Sequence, residues 1–253
     1  LKEIADKYNS LQSALAGAER LVPLLEEKDR QIANEVPREF KHIESIDFKH
    51  VWFSYDNNDV YALKDFTLSI KAGEFIGIVG PSGSGKSTLL SLLMGLYKPT
   101  KGAIYINGID IANYDSSVLR HLMGYVFQQA YLFKGSIKDN LTLFDTSISY
   151  DDMVDVAKQV NLDSMIDQLP EGYHTPVGYL GSLLSDGQKQ LLAFGRTLIR
   201  KTPILLLDEA TANIDSHTEK QIQASIENIR GSKTIVSIAH RLSTVQDANK
   251  IVY

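Results

Sequence analysis

Three short groups of residues hold most of the chemistry this chain can do. The densest is Gly80-Pro81-Ser82-Gly83-Ser84-Gly85-Lys86-Ser87-Thr88, which fits the pattern G-x-x-x-x-G-K-[ST]. In such a loop the glycines let successive backbone N–H groups turn inward, and a following helix aims its positive dipole end at the same point. That is a phosphate cradle. The Lys86 ammonium would reach the outer phosphates as a point charge, and the Ser87 hydroxyl is placed to ligate a Mg²⁺ that bridges them. The second group, Asp208-Glu209, ends the apolar run Ile204-Leu205-Leu206-Leu207. A carboxylate at the end of a buried strand is costly unless a cation or donor satisfies it, so Asp208 is expected on the magnesium side of the cradle. Neighbouring strand residues point to opposite sides, so Glu209 is expected to face elsewhere. A carboxylate just beyond the outermost phosphate can orient and deprotonate water. The third group is Leu184-Ser185-Asp186-Gly187-Gln188, where Ser185 is a candidate N-cap and the helix end a second anion site.

The elements that must position these groups are legible from periodicity. Phe75-Ile76-Gly77-Ile78-Val79 is a strand entering the cradle, and Leu89-Leu90-Ser91-Leu92-Leu93-Met94 a helix leaving it. Residues 43–55, dense in β-branched and aromatic types, with 66–70 and 102–109, predict a small antiparallel sheet beside that core. Tyr125-Val126-Phe127 is a short buried strand ending in Gln128-Gln129. From 136 to about 169 the pattern is helical and polar, an inserted helical subdomain with Asp139, Asp151, Asp152, Asp155 and Asp163 expected on exposed positions. A loop rich in Pro and Gly then precedes a helix from Asp186 to about Arg200. The run at 204–207 requires burial on both faces, and a helix to Ile229, a strand at 234–238 and a final strand at 251–253 complete the expectation. The fold class is therefore α/β: a phosphate-loop core with a mainly parallel sheet, a flanking antiparallel β subdomain and the inserted α-helical subdomain.

Leu1, Ile4, Tyr8, Leu11, Leu15, Ala18 and Val22 alternate at spacings of three and four, one helical stripe ended by Pro23. Residues 1–38 read as helix and linker and 39–253 as the main domain; the stripe packs either on its own domain or against an external partner. Of 253 residues 43% are hydrophobic and 23% charged, a composition of soluble globular chains. The net charge of −5 offers no general attraction to nucleic acid. With no cysteine, disulfides, thiolate metal sites and a cysteine nucleophile are excluded. The longest apolar runs fall far short of the roughly 20 residues a membrane span needs. The start at Leu1, without Met, reads as a piece of something longer.

Phosphate loop, glutamine after a strand, the 184–188 pentapeptide, Asp208-Glu209, then His240 after a strand: from about residue 40 to 253 this order resembles the ATP-binding cassette family. The resemblance implies binding and hydrolysis of Mg-ATP. It implies that Leu184, Ser185, Asp186, Gly187 and Gln188, similar to the family's L-S-G-G-Q, cap ATP held by a second nucleotide-binding domain, closing a head-to-tail dimer. Tyr55 resembles the aromatic residue that stacks on adenine, Gln128 the glutamine that senses Mg²⁺ and water, His240 the switch histidine on the γ-phosphate, and Asp215 the aspartate of the loop crossing between subunits. The stripe at 1–22 and the run Tyr131-Leu132-Phe133-Lys134-Gly135-Ser136-Ile137 resemble exporter-type half-transporters. The implied partners are a second such domain and a transmembrane domain of the same polypeptide, at the cytoplasmic face of the cell membrane, and no nucleic acid. Three departures stand out: Asp186 where glycine is usual, Thr175-Pro176-Val177-Gly178-Tyr179-Leu180-Gly181 in place of T-E-V-G-E-R-G, and Ala212-Asn213-Ile214-Asp215 in place of S-A-L-D. Such drift with Glu209 intact resembles the competent half of a heterodimeric multidrug exporter, a homodimer remaining open. The rival readings are a regulatory half with little hydrolysis and a cassette ATPase of DNA maintenance.

Overall fold

The structure, a computed structural model, describes residues 6–8, 11–12, 15, 17–19, 22, 42–56, 60–210, 214–239 and 244–253. His240 and the crossing-loop residues Ala212 and Asn213 lie outside the described residues, as do Leu1 and Ile4 of the N-terminal stripe. The chain divides into two compact units, Leu1–Val36 and Pro37–Tyr253. In the first, the described residues are helical. Among the described residues no helix is long and apolar enough to cross a membrane.

The second unit runs β1 (Ser45–Phe53), β2 (Leu63–Lys71), β3 (Phe75–Ile78), α1 (Lys86–Leu93), β4 (Lys101–Ile106), β5 (Ile109–Asp110), α2 (Ser116–Leu122) and β6 (Met123–Val126). It continues through α3 (Ile137–Thr142), α4 (Tyr150–Gln159), α5 (Asp163–Asp167), α6 (Asp186–Ile199), β7 (Ile204–Asp208), α7 (Ser216–Ile229), β8 (Thr234–Ile238) and β9 (Lys250–Val252). Two sheets result. One has four strands in the order β2-β1-β4-β5, antiparallel throughout; the other has five in the order β6-β7-β8-β3-β9, all parallel.

The unbroken apolar run of β7 follows from its central place in the parallel sheet, where side chains alternate between two cores. Leu205 and Leu207 enter one core, with Ile235, Phe194 of α6 and Ile222 of α7. Ile204 and Leu206 enter the other, with Val236, Leu90 of α1 and Ile104 of the antiparallel sheet. All four residues 204–207 are essentially inaccessible, so truncating any one to alanine is expected to destabilise by about 2–5 kcal/mol. The second core glues the antiparallel sheet and α1 to one face; the first attaches α3–α7 to the other. This sandwich fixes where the phosphate loop, between β3 and α1, stands relative to the end of β7.

Helix starts follow local chemistry. Ser136 caps α3 and Ser185 caps α6, each in a capping box with the residue three positions on, Asp139 and Gln188. Ser149 caps α4 and Asp215 caps α7. Such caps contribute about 1 kcal/mol each.

Several expectations need correcting. The short strand lies at Met123–Val126, not 125–127, and Phe127 is exposed beyond its end. Asp151 and Asp155 are exposed as expected, but Asp139, Asp152 and Asp163 are half-buried, the first two because they bond Ser136 and Ser149 at the caps. Helix α2 has no counterpart in the periodicity reading; it is seven residues long, started by Asp115 accepting from Ser117 N at 2.7 Å.

Candidate active site

The loops that leave β3, β6 and β7 all emerge at the carboxyl end of the parallel sheet, the edge where open α/β sheets bind ligands. The loop after β3 carries the glycines expected to cradle a phosphate. Gly80, Gly83 and Gly85 have φ of 155°, 81° and 90°, and a Cβ on Gly85 would stand 2.5 Å from the Ala62 carbonyl oxygen. Only glycine fits there. Gly85 is also the N-cap of α1 and offers no side-chain cap, so the first-turn N–H groups point outward as an anion site requires. Lys86 is buried, and its Nζ donates to the carbonyl oxygens of Gly80 and Pro81, both at 2.9 Å. The ammonium is thereby drawn back across the loop that it would share with a phosphate.

Asp208 sits beside this loop, held from two sides. Its Oδ2 accepts from the Tyr125 hydroxyl at 2.7 Å and its Oδ1 from the Ser87 hydroxyl at 3.4 Å. Burial, and then the bonded Asp208 carboxylate, push the Tyr125 phenol far above its ordinary pKa, so it remains a neutral donor. Glu209 does face elsewhere, for a backbone reason. It adopts φ 50°, a left-handed conformation costing a non-glycine residue roughly 1 kcal/mol, and its N–H donates to Ile238 O at 3.1 Å. The carboxylate is turned into the mouth of the cradle, where Oε2 accepts from Gln128 Nε2 at 2.8 Å. An open cavity of about 290 Å³ results, lined by Tyr55, Ala62, Ser82, Gly83, Gly85, Lys86, Ser87, Thr88 and Glu209. Tyr55 closes one side: its hydroxyl bonds Thr88 Oγ1 at 2.9 Å, and its ring meets Phe53 and Tyr97 edge-on at 4.8 and 5.3 Å.

These residues fit a nucleotide with a divalent cation. The cavity joins an exposed aromatic ring, a glycine cradle that a Cβ would obstruct and a buried ammonium. Ser87 and Asp208 offer hard oxygen donors side by side. Among the described residues there is no group of three or more His, Cys, Asp or Glu that could hold a metal.

The pentapeptide occupies the start of α6, where Ser185 Oγ accepts from Gln188 N at 3.2 Å and Gln188 Oε1 accepts from Ser185 N at 2.9 Å. Gly187 is required by packing, since a Cβ there would lie 2.5 Å from Thr218 Oγ1. Thr218 cannot retreat: Asp215 Oδ2 accepts from its hydroxyl at 2.7 Å and Oδ1 from its N–H at 3.0 Å. Those Thr218 bonds also hold Asp215 below the usual carboxylate range. Asp186 turns to Lys189, its Oδ1 3.0 Å from Nζ, so its charge is balanced within the first turn. None of 184–188 lines the phosphate cavity.

The loop carrying Gln128 is anchored by two residues of α6 that the sequence reading missed. Gln190 Nε2 donates to Phe127 O at 2.9 Å, and Arg196 Nη1 to Tyr131 O at 2.8 Å. Arg196 also donates to Asn140 O and Oδ1 at 2.8 and 3.0 Å, and burial pushes its pKa down to about 10. Tyr125 was likewise read only as a strand residue; nothing local marks its hydroxyl as a partner of Asp208.

A family model described as ABC transporter matches residues 63–212. The ABC transporter ATP-binding protein YfiC of Bacillus subtilis, which is described as uncharacterised, is 39% identical over 100% of this chain and 42% of its own length. An ATP-dependent lipid A-core flippase of Syntrophus aciditrophicus is 36% identical, over 100% of this chain and 42% of its own. Among solved structures, a bacterial Atm1-family ABC exporter with ATP bound superposes with a TM-score of 0.77 at 39% identity, over 84% of this chain and 37% of that one. The chain thus spans less than half the length of these proteins.

Proposed function

Because the chain belongs to the ABC transporter family, whose ATP-binding domains are ATPases, we propose that it binds and hydrolyses Mg-ATP as the motor domain of an exporter-type transporter. The observation that carries this reading is the meeting of Lys86, Ser87, Asp208 and Glu209 at one end of the parallel sheet, although 121 residues separate Ser87 from Asp208.

In this reading Tyr55 stacks on the adenine, and residues 80–88 receive the phosphates. Lys86 exchanges its bonds to the Gly80 and Pro81 carbonyls for phosphate oxygens. Ser87 and Asp208, with Gln128, hold the Mg²⁺, which when bound neutralises charge on the transferring phosphoryl group. Glu209 orients the attacking water and accepts its proton, the Gln128 amide fixing the carboxylate's direction. His240 completes the site at the γ-phosphate.

The second half of the site comes from another subunit. Leu184, Ser185, Asp186, Gly187 and Gln188 cap the nucleotide of a second ABC domain, and Asp215 stands at the crossing between them; that the pentapeptide does not line its own chain's cavity supports this. ATP closes a head-to-tail dimer, homomeric or heteromeric, and hydrolysis reopens it. Residues 1–38 lead from a transmembrane domain of the same polypeptide, 39–253 form the ATP-binding domain, and the whole works at the cytoplasmic face of a membrane, in the manner of a multidrug exporter.

The test is phosphate release and solution mass for the chain and its Glu209→Gln variant. The expected result is ATP-dependent phosphate release by the parent, loss of at least about 100-fold in the variant, and a Mg-ATP-dependent rise in the variant's mass. Unchanged phosphate release by Glu209→Gln would refute the assignment of the base.

A further inference from the structure

Among the described residues the two oxygens of the Asp208 carboxylate have two hydrogen-bonding partners, Ser87 and Tyr125, and only Ser87 belongs to the phosphate loop. The parallel register places Tyr125 of β6 opposite Leu206 of β7, so Tyr125 and Asp208 share the face of the sheet that α1 covers. From that face the phenol donates to Oδ2 at 2.7 Å, a short bond of an O–H to an ionised acceptor. Oδ1 then faces Ser87 Oγ at 3.4 Å, too long for a strong O–H···O bond. Any aromatic ring at position 125 could pack on Phe127, whose centroid is 4.5 Å away. Among the described residues the hydroxyl adds one bond, to Asp208.

We propose that Tyr125 is a positioning residue for the divalent cation: by holding Oδ2 it fixes the carboxylate's rotation and aims Oδ1 at the metal beside Ser87. A carboxylate with one rigid donor enters coordination already oriented, which lowers the entropy lost when the cation binds. Residues that orient metal ligands in this way typically contribute 10–100-fold in metal affinity. Here a single oxygen is fixed, so the expected effect is about tenfold. The inference rests on the Mg-ATP reading above.

Tyr125→Phe removes the hydroxyl and keeps the ring. Two measurements are made on the full chain: ATP affinity by calorimetry with and without Mg²⁺, and phosphate release against Mg²⁺ concentration at saturating ATP. The variant should bind metal-free ATP within twofold of the parent, lose most of the parent's gain in affinity on adding Mg²⁺, and need about ten times more Mg²⁺ for half-maximal release. Its turnover at saturating Mg²⁺ should approach the parent's. A merely structural tyrosine would lower stability and turnover together and leave the Mg²⁺ midpoint in place. If the parent binds and hydrolyses ATP and the variant's Mg²⁺ dependence stays within twofold, the positioning role is refuted and the functional reading stands. If the parent binds no ATP, the functional reading falls and this inference with it.

Discussion

Arg196 is the strongest test of how the helical part of the structure holds the catalytic edge. Its guanidinium is partly buried, with three hydrogen bonds to oxygen and the Phe133 ring 5.5 Å away. Among the described residues no carboxylate pairs with it, and burial alone lowers its pKa. Two effects oppose each other in Arg196→Met. The variant escapes the cost of burying a cation, which is several kcal/mol before compensation. It also strips donors from two backbone carbonyls and the Asn140 side chain, each bond to a charged group contributing about 1.5–3 kcal/mol. The bonds outweigh the burial, so a net loss of about 3 kcal/mol is expected. For a unit of this size that corresponds to a fall of about 6–12 °C in Tm. Arg196→Lys supplies the internal control: one ammonium cannot reproduce the planar fork that reaches Tyr131 and Asn140 together, so it should recover less than half of the loss. Thermal unfolding followed by circular dichroism, with hydrogen exchange over residues 131–140, reads both effects. A Met variant melting within 2 °C of the parent, or a Lys variant equal to it, would refute the reasoning, which assumes that the fork and not the charge is what matters.

Gly187→Ala gains helix propensity of about 1 kcal/mol but forces a Cβ against Thr218, an overpacking cost of about 1–3 kcal/mol; a small net destabilisation with loss of ATP-dependent dimerisation is expected in melting and sedimentation runs. Lys86→Ala should weaken Mg-ATP binding by at least about tenfold in calorimetry, and unaltered affinity would argue against the cradle. The Ser136 N–H and hydroxyl, both donating to Asp139 at 2.8 Å, hold its pKa below the ordinary carboxylate value. The stability this gives is present above the unfolded pKa of about 3.9 and is lost as pH falls through the lower folded value. Asp139→Asn should therefore be less stable at neutral pH and show a flatter decline as the pH falls below the ordinary carboxylate pKa, checked by urea unfolding across the acid range.

What the sequence revealed was local chemistry. The strand, glycine loop and helix around residues 75–94, the Ser185 cap and the doubly buried run at 204–207 each announce themselves within a few residues, and the structure has these elements as expected. Pairings set by the sheet were invisible. Tyr125 and Asp208 meet across 83 residues, and Gln190 and Phe127 across 63, because β6 lies beside β7 and α6 packs over their ends. No periodicity encodes that order. Phe127 misled for a related reason: an aromatic after Tyr125-Val126 looks like strand, yet the pairing with β7 stops at Val126 opposite Leu207. Asp186 was a missed opportunity of the opposite kind, since Lys189 at i+3 was in plain view as its partner.

The backbone at Glu209 carries a consequence for how this chain can change over time. A glutamate held at φ 50° gives up roughly 1 kcal/mol that glycine would recover and asparagine would recover in part. Losing the carboxylate we assign to water activation therefore costs less folding stability than at an unstrained position, because relief of the backbone offsets part of the bond given up by Gln128. A lineage that ceased to need hydrolysis at this site would be expected to tolerate a small residue here while keeping Lys86 and Ser87, and so to become a nucleotide-holding but silent half.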